Sequence, residues 1–465
     1  MSGEREERHT PPWSEAAVRE ALGFVSEPPL TAQRSPLTFS EISTDTRTLR
    51  PGALFVALKG ERFDGHDHLA AAARAGAAAA VVRRDTPAVD GLPYIEVDDT
   101  LLAYGDLAHA RRARVRGPVV AVTGTNGKTS TKEMLAAVLR TRYRTHATRA
   151  NLNNLVGVPL TILEAPPDTE AMVVEAGANA PGEIARYREI IDPSIAVVTN
   201  VGEGHVEGFG SLDGVMREKL SLVRDVPLAV VGATPENLAE LARPLARRVV
   251  GGPDGPVPAR IKTDDRGRPT VTVAGRTFTI PYPGRHLAAN ALLAWAVAEE
   301  LGLDLDACAA ALAALVVPGG RSEVRQEGAL TILNDCYNAN PPSFLAAIAT
   351  ARELRRGRRL IFVAGSMREL GGESGRLHTR VAEALVALEP DLLAAVGEFV
   401  PALAPYAAAL GSRLITAPDA EAIGPLVAER LRGDEVVVLK ASRGVALERI
   451  LPHLLARAHQ SKPEV

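Results

Sequence analysis

The sequence predicts a multidomain α/β protein built on parallel sheets. Strand-length runs of Val, Ile, Leu and Ala alternate with helical stretches along most of the 465 residues. Near-continuous apolar strands of this kind belong to parallel sheets covered on both faces. A glycine-rich turn also stands between one such strand and the helix that follows it. At roughly 100–200 residues per domain, the length suggests two to four domains.

The first block, residues 1–97, opens with a polar tail and a short helix, SEAAVREALG. LFVAL (54–58) then reads as a strand, HLAAAARAGA as a helix and AAVVR as the next strand, a small α/β unit. Between them, DGHDH carries His66 and His68, which read first as a polar loop ahead of a helix, with a metal pair as the alternative. The stretch 98–117 is a helical connector, with Leu101, Leu102, Leu107 and Ala108 as its expected apolar face; Gly117 and Pro118 end it.

The second block, 98–317, holds the strands VVAVT (119–123), AMVVEAG (171–177), IAVVTN (195–200) and LAVVGA (228–233), separated by helices. Residues 251–284 are rich in Gly and Pro and alternate apolar with polar, so they read as antiparallel strands appended to that sheet. A long Ala-rich helix, HLAANALLAWAVAEELG, leads to a hinge at Pro318-Gly319-Gly320. The third block, 318–465, restarts the alternation: LTILNDCY, PSFLAAIATAREL, RLIFVAG, GRLHTRVAEALVAL, LLAAVG, DEVVVLKAS and a final helix RGVALERIL. It reads as a second doubly wound unit.

Composition excludes several classes. Hydrophobic residues make up 46% and charged residues 23%, which is globular usage and not that of a disordered chain. The formal charge of −3 gives no support to a nucleic-acid-binding surface. Two cysteines, Cys308 and Cys336, make neither a disulfide framework nor a Cys-rich metal site and fit a reducing compartment. The first residues are charged where a secretory signal needs an apolar stretch. No run reaches the ~20 apolar residues of a membrane span, since the longest Ala-rich one is cut by Arg74. A cytoplasmic location is expected.

The strongest chemical signal is TGTNGKTS at 123–130. A glycine turn entering a helix lets backbone N–H groups and the positive helix end surround phosphate oxygens. Lys128 adds a point charge for the outer phosphates, and the Thr129 hydroxyl is placed for Mg²⁺. The first glycine of the strict pattern is replaced by Val122, with Gly124 inside the loop. A nucleoside triphosphate site follows. Glu175 and His205 each follow a strand, where open α/β sheets collect ligands. Singly they read as a solvated acid and a structural histidine; their shared placement with Thr129 points to metal and phosphate. Lys219, by helical spacing alone, reads as an exposed surface lysine. NDCYNANPP (334–342) reads either as a tight loop or as a polar substrate contact.

In order, the chain also carries STDTRTLRPGALFVALKGERFDGHDH, VTGTNGKTSTKEM, NLNNLVGVPLTIL, EAGANAPGEI, NVGEGHVEGFGS, PGRHLAANALLA, PGGR, NDCYNANPPS, AGSMRELG and VLKASRGVALERI. Together these resemble the Mur ligases of peptidoglycan precursor synthesis. EAGAN…GEI and YNANP resemble the branch that adds D-alanyl-D-alanine. The resemblance implies three domains: a small α/β domain (1–97) for the UDP-sugar, a central P-loop-type parallel-sheet ATPase domain (98–317), and a Rossmann-like α/β domain (318–465) that binds the dipeptide and closes on the nucleotide. It implies an ATP-dependent ligase, with UDP-MurNAc-tripeptide and D-Ala-D-Ala as small-molecule substrates and a monomer as the expected assembly.

The resemblance assigns roles position by position. Gly124, Thr125, Asn126, Gly127, Lys128, Thr129 and Ser130 hold the ATP phosphates, and Asn290, Arg321 and Asp335 contact the nucleotide. Thr129 and Glu175 bind one Mg²⁺. His205 binds a second, together with Lys219 as a carbamate. Thr44, Asp45, Thr46 and Arg47 match the uridine-nucleotide loop; Asn338 and Asn340 lie where the dipeptide is expected. The sequence departs from the family pattern at Leu220-Ser221 after the lysine, Leu287 after the histidine of PGRH, Ser366 in AGSMREL and Asn334 in NDCY.

Overall fold

The computed structural model describes residues 13–24, 36–60, 63–204, 206–317 and 319–460. Two compact units emerge. One comprises 1–121, 143–178 and 182–195, the other 122–142, 179–181 and 196–465, so the division falls inside the strands Val119–Thr123 and Ile195–Val198. Among the described residues no helix is long and apolar enough to cross a membrane.

The first unit contains a four-stranded parallel sheet in the order Ile42–Ser43, Leu54–Val56, Ala79–Arg83, Tyr94–Val97. The expected strand LFVAL is confined to Leu54–Val56. Phe55, Ala57, Leu69, Ala72 and Ala80 form one core under it. The DGHDH segment is not an open loop but a 3₁₀ turn, Gly65–His68, capped by Asp64 and running into the helix Leu69–Arg74. Asp64 accepts the His66 backbone N–H at 3.1 Å, and His66 Nε2 accepts the N–H of Arg83 at 3.0 Å. His66 thereby ties the turn to a strand.

The connector folds as the helix Thr100–Arg112, capped by Asp99, which accepts from Leu101 N at 2.7 Å and Leu102 N at 3.0 Å. Its buried face is not the expected one. Thr100, Ala103, Tyr104, Leu107, Ala108 and Arg111 are buried, whereas Leu102 is 52% exposed. The i, i+3, i+4, i+7 stripe from Thr100 wins because Arg111 can bury by donating to Ala165 O at 2.6 Å. The unit also holds most of the adjacent strands Val119–Thr123, Ala171–Glu175 and Thr145–Ala147, the last two parallel.

In the second unit, Ile195–Val198, Leu228–Val231 and Val249–Val250 lie side by side. The Gly/Pro-rich stretch departs from expectation. Ala259–Thr263, Pro269–Val273 and Arg276–Thr279 form a separate three-stranded antiparallel sheet, not an extension of the parallel one. Alternating strands have one apolar face to cover, and here Val271, Val273 and Phe278 are buried, with Phe278 stacked on Trp295 of the helix Arg285–Glu300.

The last sheet runs Glu323–Glu327, Leu330–Asp335, Val436–Lys440, Leu360–Ala364, Leu392–Val396, Leu414–Ala417, parallel except for its first pair. Both faces are covered: Phe344, Phe362 and Phe399 lie in one cluster, Ile361, Val437 and Leu439 in the other. The edge strand Glu323–Glu327 and the strand Leu414–Ala417 carry no clear sequence signal. The expected helix RGVALERIL is instead two 3₁₀ turns, Arg443–Val445 and Leu447–Ile450, joined at Ala446 with φ 54°. The α-helix begins at Leu451, which puts Pro452 in its first turn, where a missing N–H costs nothing. Of the expected hinge, Pro318 lies outside the described residues.

Candidate active site

The turn 124–127 leads into the helix Lys128–Leu139, and its two glycines are required by space as well as by backbone angle. Gly124 has φ 143°, and a Cβ there would stand 2.0 Å from Thr199 Oγ1; at Gly127, with φ 78°, it would stand 2.7 Å from Asn290 Oδ1. The loop is pinned from one side. Thr125 N donates to Asn200 O at 2.9 Å, and Asn126 N to Asn200 Oδ1 at 3.0 Å. Thr199 Oγ1 donates to Asn126 O at 2.6 Å. The first N–H groups of a helix have no intrahelical partner, so such a start suits an anion. Lys128 Nζ donates to Gly124 O at 2.9 Å and Thr125 O at 3.1 Å, which holds the cation at the mouth of the turn. Thr129, Ser130 and Asn290 are buried.

From the third block, Asn340 meets this turn, and residues 321–338 and 440 are tied to one another nearby in sequence or sheet. Asn126 and Asn340 exchange amide hydrogen bonds in both directions, at 3.0 and 2.9 Å. Asn340 is also the N-cap of the helix Pro341–Arg355, where it accepts from Ser343 N at 3.0 Å while the Ser343 hydroxyl takes its own N–H. Both oxygens of Asp335 accept a hydrogen bond: Oδ1 from Ser322 N at 3.1 Å and Oδ2 from Lys440 Nζ at 2.6 Å. Lys440 donates as well to Asn338 O at 2.8 Å. The Arg321 guanidinium lies 3.4 Å over the Tyr337 ring. Burial holds the imidazole of His286 below its ordinary value, with the Asp335 charge acting against the shift.

Lys219 is not the solvated lysine of its helical spacing. In the helix Leu212–Leu220 it is 1% exposed, with Nζ 5.7 Å from the Phe209 ring. His205 lies outside the described residues. The family departures are accommodated locally. Leu287 and Leu220 are buried, Ser221 Oγ donates to Glu218 O at 2.6 Å, Ser366 Oγ accepts from Glu398 N at 2.9 Å, and Asn334 donates to Glu323 Oε2 at 3.3 Å.

The first unit holds the remaining candidates. Glu175 ends its strand at 1% exposure; its backbone N–H donates to Thr148 Oγ1 at 2.9 Å, and Oε1 accepts from Asn153 Nδ2 at 2.8 Å. Among the described residues, Oε2 has no hydrogen-bond partner. A buried carboxylate oxygen left in that state suits a hard divalent cation such as Mg²⁺, which takes oxygen donors. Among the described residues no three His, Cys, Asp or Glu side chains cluster as a metal site. In the 44–47 turn, Arg47 donates through Nε and its backbone N–H to Asp45 at 2.9 and 3.0 Å. Those bonds hold the Asp45 carboxyl down at about 2. Thr44 and Thr46 are half-buried in the same turn. Asn153, Asn200 and Lys440 were not found from sequence. Only Lys440 carried a signal, as a cation ending an otherwise apolar strand.

Three family models match consecutive parts of the chain: "Mur ligase family, catalytic domain" at 38–112, "Mur ligase middle domain" at 122–298 and "Mur ligase, glutamate ligase domain" at 320–443. The UDP-N-acetylmuramoyl-tripeptide--D-alanyl-D-alanine ligase of Escherichia coli (strain K12) is 40% identical, over 79% of this chain and 83% of that protein. The enzyme of that name from Bacillus subtilis (strain 168) is 35% identical over 89% and 93%. A crystal structure of MurF from Acinetobacter baumannii superposes with a TM-score of 0.84 at 29% identity, covering 96% of this chain and 99% of that one. MurF ligase from Thermotoga maritima, in complex with ADP, superposes with a TM-score of 0.80 at 29% identity, covering 91% and 98%. The pinned glycine turn, the third-block Asn340 that meets it and these likenesses over most of the chain agree: the chain belongs to the Mur ligase family, with that family's three-domain architecture.

Proposed function

We propose that this chain is an ATP-dependent amide ligase that adds D-alanyl-D-alanine to UDP-N-acetylmuramoyl-tripeptide, releasing ADP and phosphate. The observation that carries the reading is the phosphate turn, pinned by Asn200 and holding Lys128 at its mouth. A carboxylate is a poor electrophile, so the peptide's terminal carboxylate first attacks the γ-phosphorus of ATP. The bond to the bridging oxygen breaks and ADP leaves with that electron pair. The free amine of D-Ala-D-Ala then attacks the acyl carbon, and the tetrahedral intermediate gives up an N–H proton to solvent and collapses as its C–O bond to phosphate breaks, the electron pair leaving on phosphate.

Within this reaction Lys128 exchanges its two backbone carbonyls for phosphate oxygens. Gly124–Ser130 cradle the phosphates through backbone N–H groups, and Asn290, Arg321 and Asp335 orient the nucleotide. Thr129 and Glu175 serve as ligands for one Mg²⁺, and His205 with carbamylated Lys219 for a second; bound there, the ions offset the charge on the transferring group. The buried, unpartnered Oε2 of Glu175 and the near-complete burial of Lys219 support those two assignments. Residues 1–97 hold the UDP-sugar, through Thr44–Arg47. Residues 98–317 hold ATP. Residues 318–465 hold the dipeptide near Asn338 and Asn340, and their closure protects the acyl phosphate from water.

The test mixes the protein with ATP, Mg²⁺, UDP-MurNAc-tripeptide and D-Ala-D-Ala and weighs the products. The expected result is UDP-MurNAc-pentapeptide with stoichiometric ADP. A stable phosphorylated tripeptide, or no ADP with every reactant present, overturns the reading.

A further inference from the structure

The segment 200–204 is gripped from two sides within its unit. On one side Thr125 Oγ1 accepts from Gly202 N at 3.0 Å, and a Cβ at Gly204 would meet Thr125 Cγ2 at 2.6 Å and Asn340 Nδ2 at 3.1 Å. On the other side stands the helix Ser374–Ala387. Its Arg380 holds both carboxylate oxygens of Glu203, Nη1 donating to Oε1 at 3.1 Å and Nη2 donating to Oε2. Arg376, one turn earlier, stands 3.9 Å from the same carboxylate. Just before that helix, a Cβ at Gly371 would sit 3.2 Å from Glu207 Cβ. The backbone of 371 and the guanidinium of Arg380 therefore address one edge.

Glu203 is flanked by Gly202 and Gly204, whose backbones have the widest conformational freedom. A segment of this kind keeps one shape only if its contacts impose it. Asn200, at its start, is the residue that pins Thr125 and Asn126 of the phosphate turn. The bidentate guanidinium fixes both distance and angle at Glu203, which a point charge would not. With both oxygens taken by an arginine fork, Glu203 is placed to hold a backbone in position, not to accept a substrate proton.

We propose that Arg380, backed by Arg376, is a positioning residue for phosphoryl transfer: through Glu203 it fixes the 200–204 segment and, through Asn200, the phosphate turn. The inference rests on the ligase reading above and adds a residue outside the site described there, acting through Glu203.

A double-mutant cycle in the full chain, assayed for pentapeptide, tests it. Arg380→Ala and Glu203→Ala are each expected to lower kcat about fivefold, the scale of a partly exposed ion pair, with KM for UDP-MurNAc-tripeptide unchanged. The double variant is expected to lose no more than either single one, because both remove the same coupling. Arg380→Lys, which keeps the charge and loses the fork, falls between parent and Arg380→Ala. Single variants within twofold of the parent, a double variant showing the product of the two losses, or a UDP-substrate KM that moves with kcat would each overturn the inference while the parent still makes product. A parent that makes no pentapeptide overturns the ligase reading itself.

Discussion

At the residue scale, the phosphate turn makes the sharpest claim. Lys128→Ala is expected to abolish ADP release while UDP-substrate binding survives. In the parent, MgATP at a hundredfold its Kd adds about 2.7 kcal/mol to stability, a rise in Tm of about 3 °C. In the variant most of that rise disappears; thermal melts with and without MgATP check it. Lys219→Ala is expected to lose activity that acetate partly restores, because a small carboxylate can stand in for the carbamate; equal rates with and without acetate would refute the modification. Lys128, Thr129, Glu175 and the third-block asparagines stand out as candidates in the sequence because each sits in a local pattern beside a strand or helix. Asn153 and Asn200 do not. An asparagine reads as a loop former until its partner, 22 residues away at Glu175 or 74 away at Asn126, is in place.

At the element scale, two helix ends carry testable loads. Asn340 both caps the helix Pro341–Arg355 and reaches Asn126. Asn340→Ala is expected to cost about 1 kcal/mol of stability as a lost cap. Asn340→Ser restores the cap without the amide pair, so its Tm should return toward the parent's while its kcat stays low. On the helix Ser374–Ala387, His378 is fully buried, with Nε2 accepting from Met367 N at 2.9 Å and Nδ1 2.8 Å from Ser374 O. Burial holds its imidazole below the ordinary value, and the bond to Ser374 only partly opposes this. The fold therefore keeps the neutral ring while the unfolded chain takes up a proton. Stability should be level above about pH 6.5 and fall as pH drops through the interval below it. His378→Gln removes its share of that dependence, leaving the shares of His146 and His286, whose imidazoles burial also holds down, and urea melts of parent and variant from pH 5 to 8 would show the difference. Elements with long apolar runs were legible from sequence. The edge strand Glu323–Glu327, polar but for the exposed Val324, was not, because its partner and not its composition makes it a strand.

At the scale of the whole chain, alternation was enough to announce parallel sheets, and the order of motifs was enough to announce the family. The separate antiparallel sheet of 259–279 escaped because alternation fixes which face is buried and not against what. The last sheet adds a consequence for how the protein comes into being. Val436–Lys440 is made after the other strands of its sheet, yet it lies between Leu330–Asp335 and Leu360–Ala364. A chain cut before Val436 is expected to show rapid limited proteolysis across 320–430 and to aggregate, where the full chain resists; equal resistance would refute the point. On the ribosome, the two earlier halves of that sheet wait with open edges until the wedge between them emerges. Premature release at that stage yields a nascent chain vulnerable to edge-to-edge association, and one still without the ammonium of Lys440 that the waiting Asp335 is built to receive.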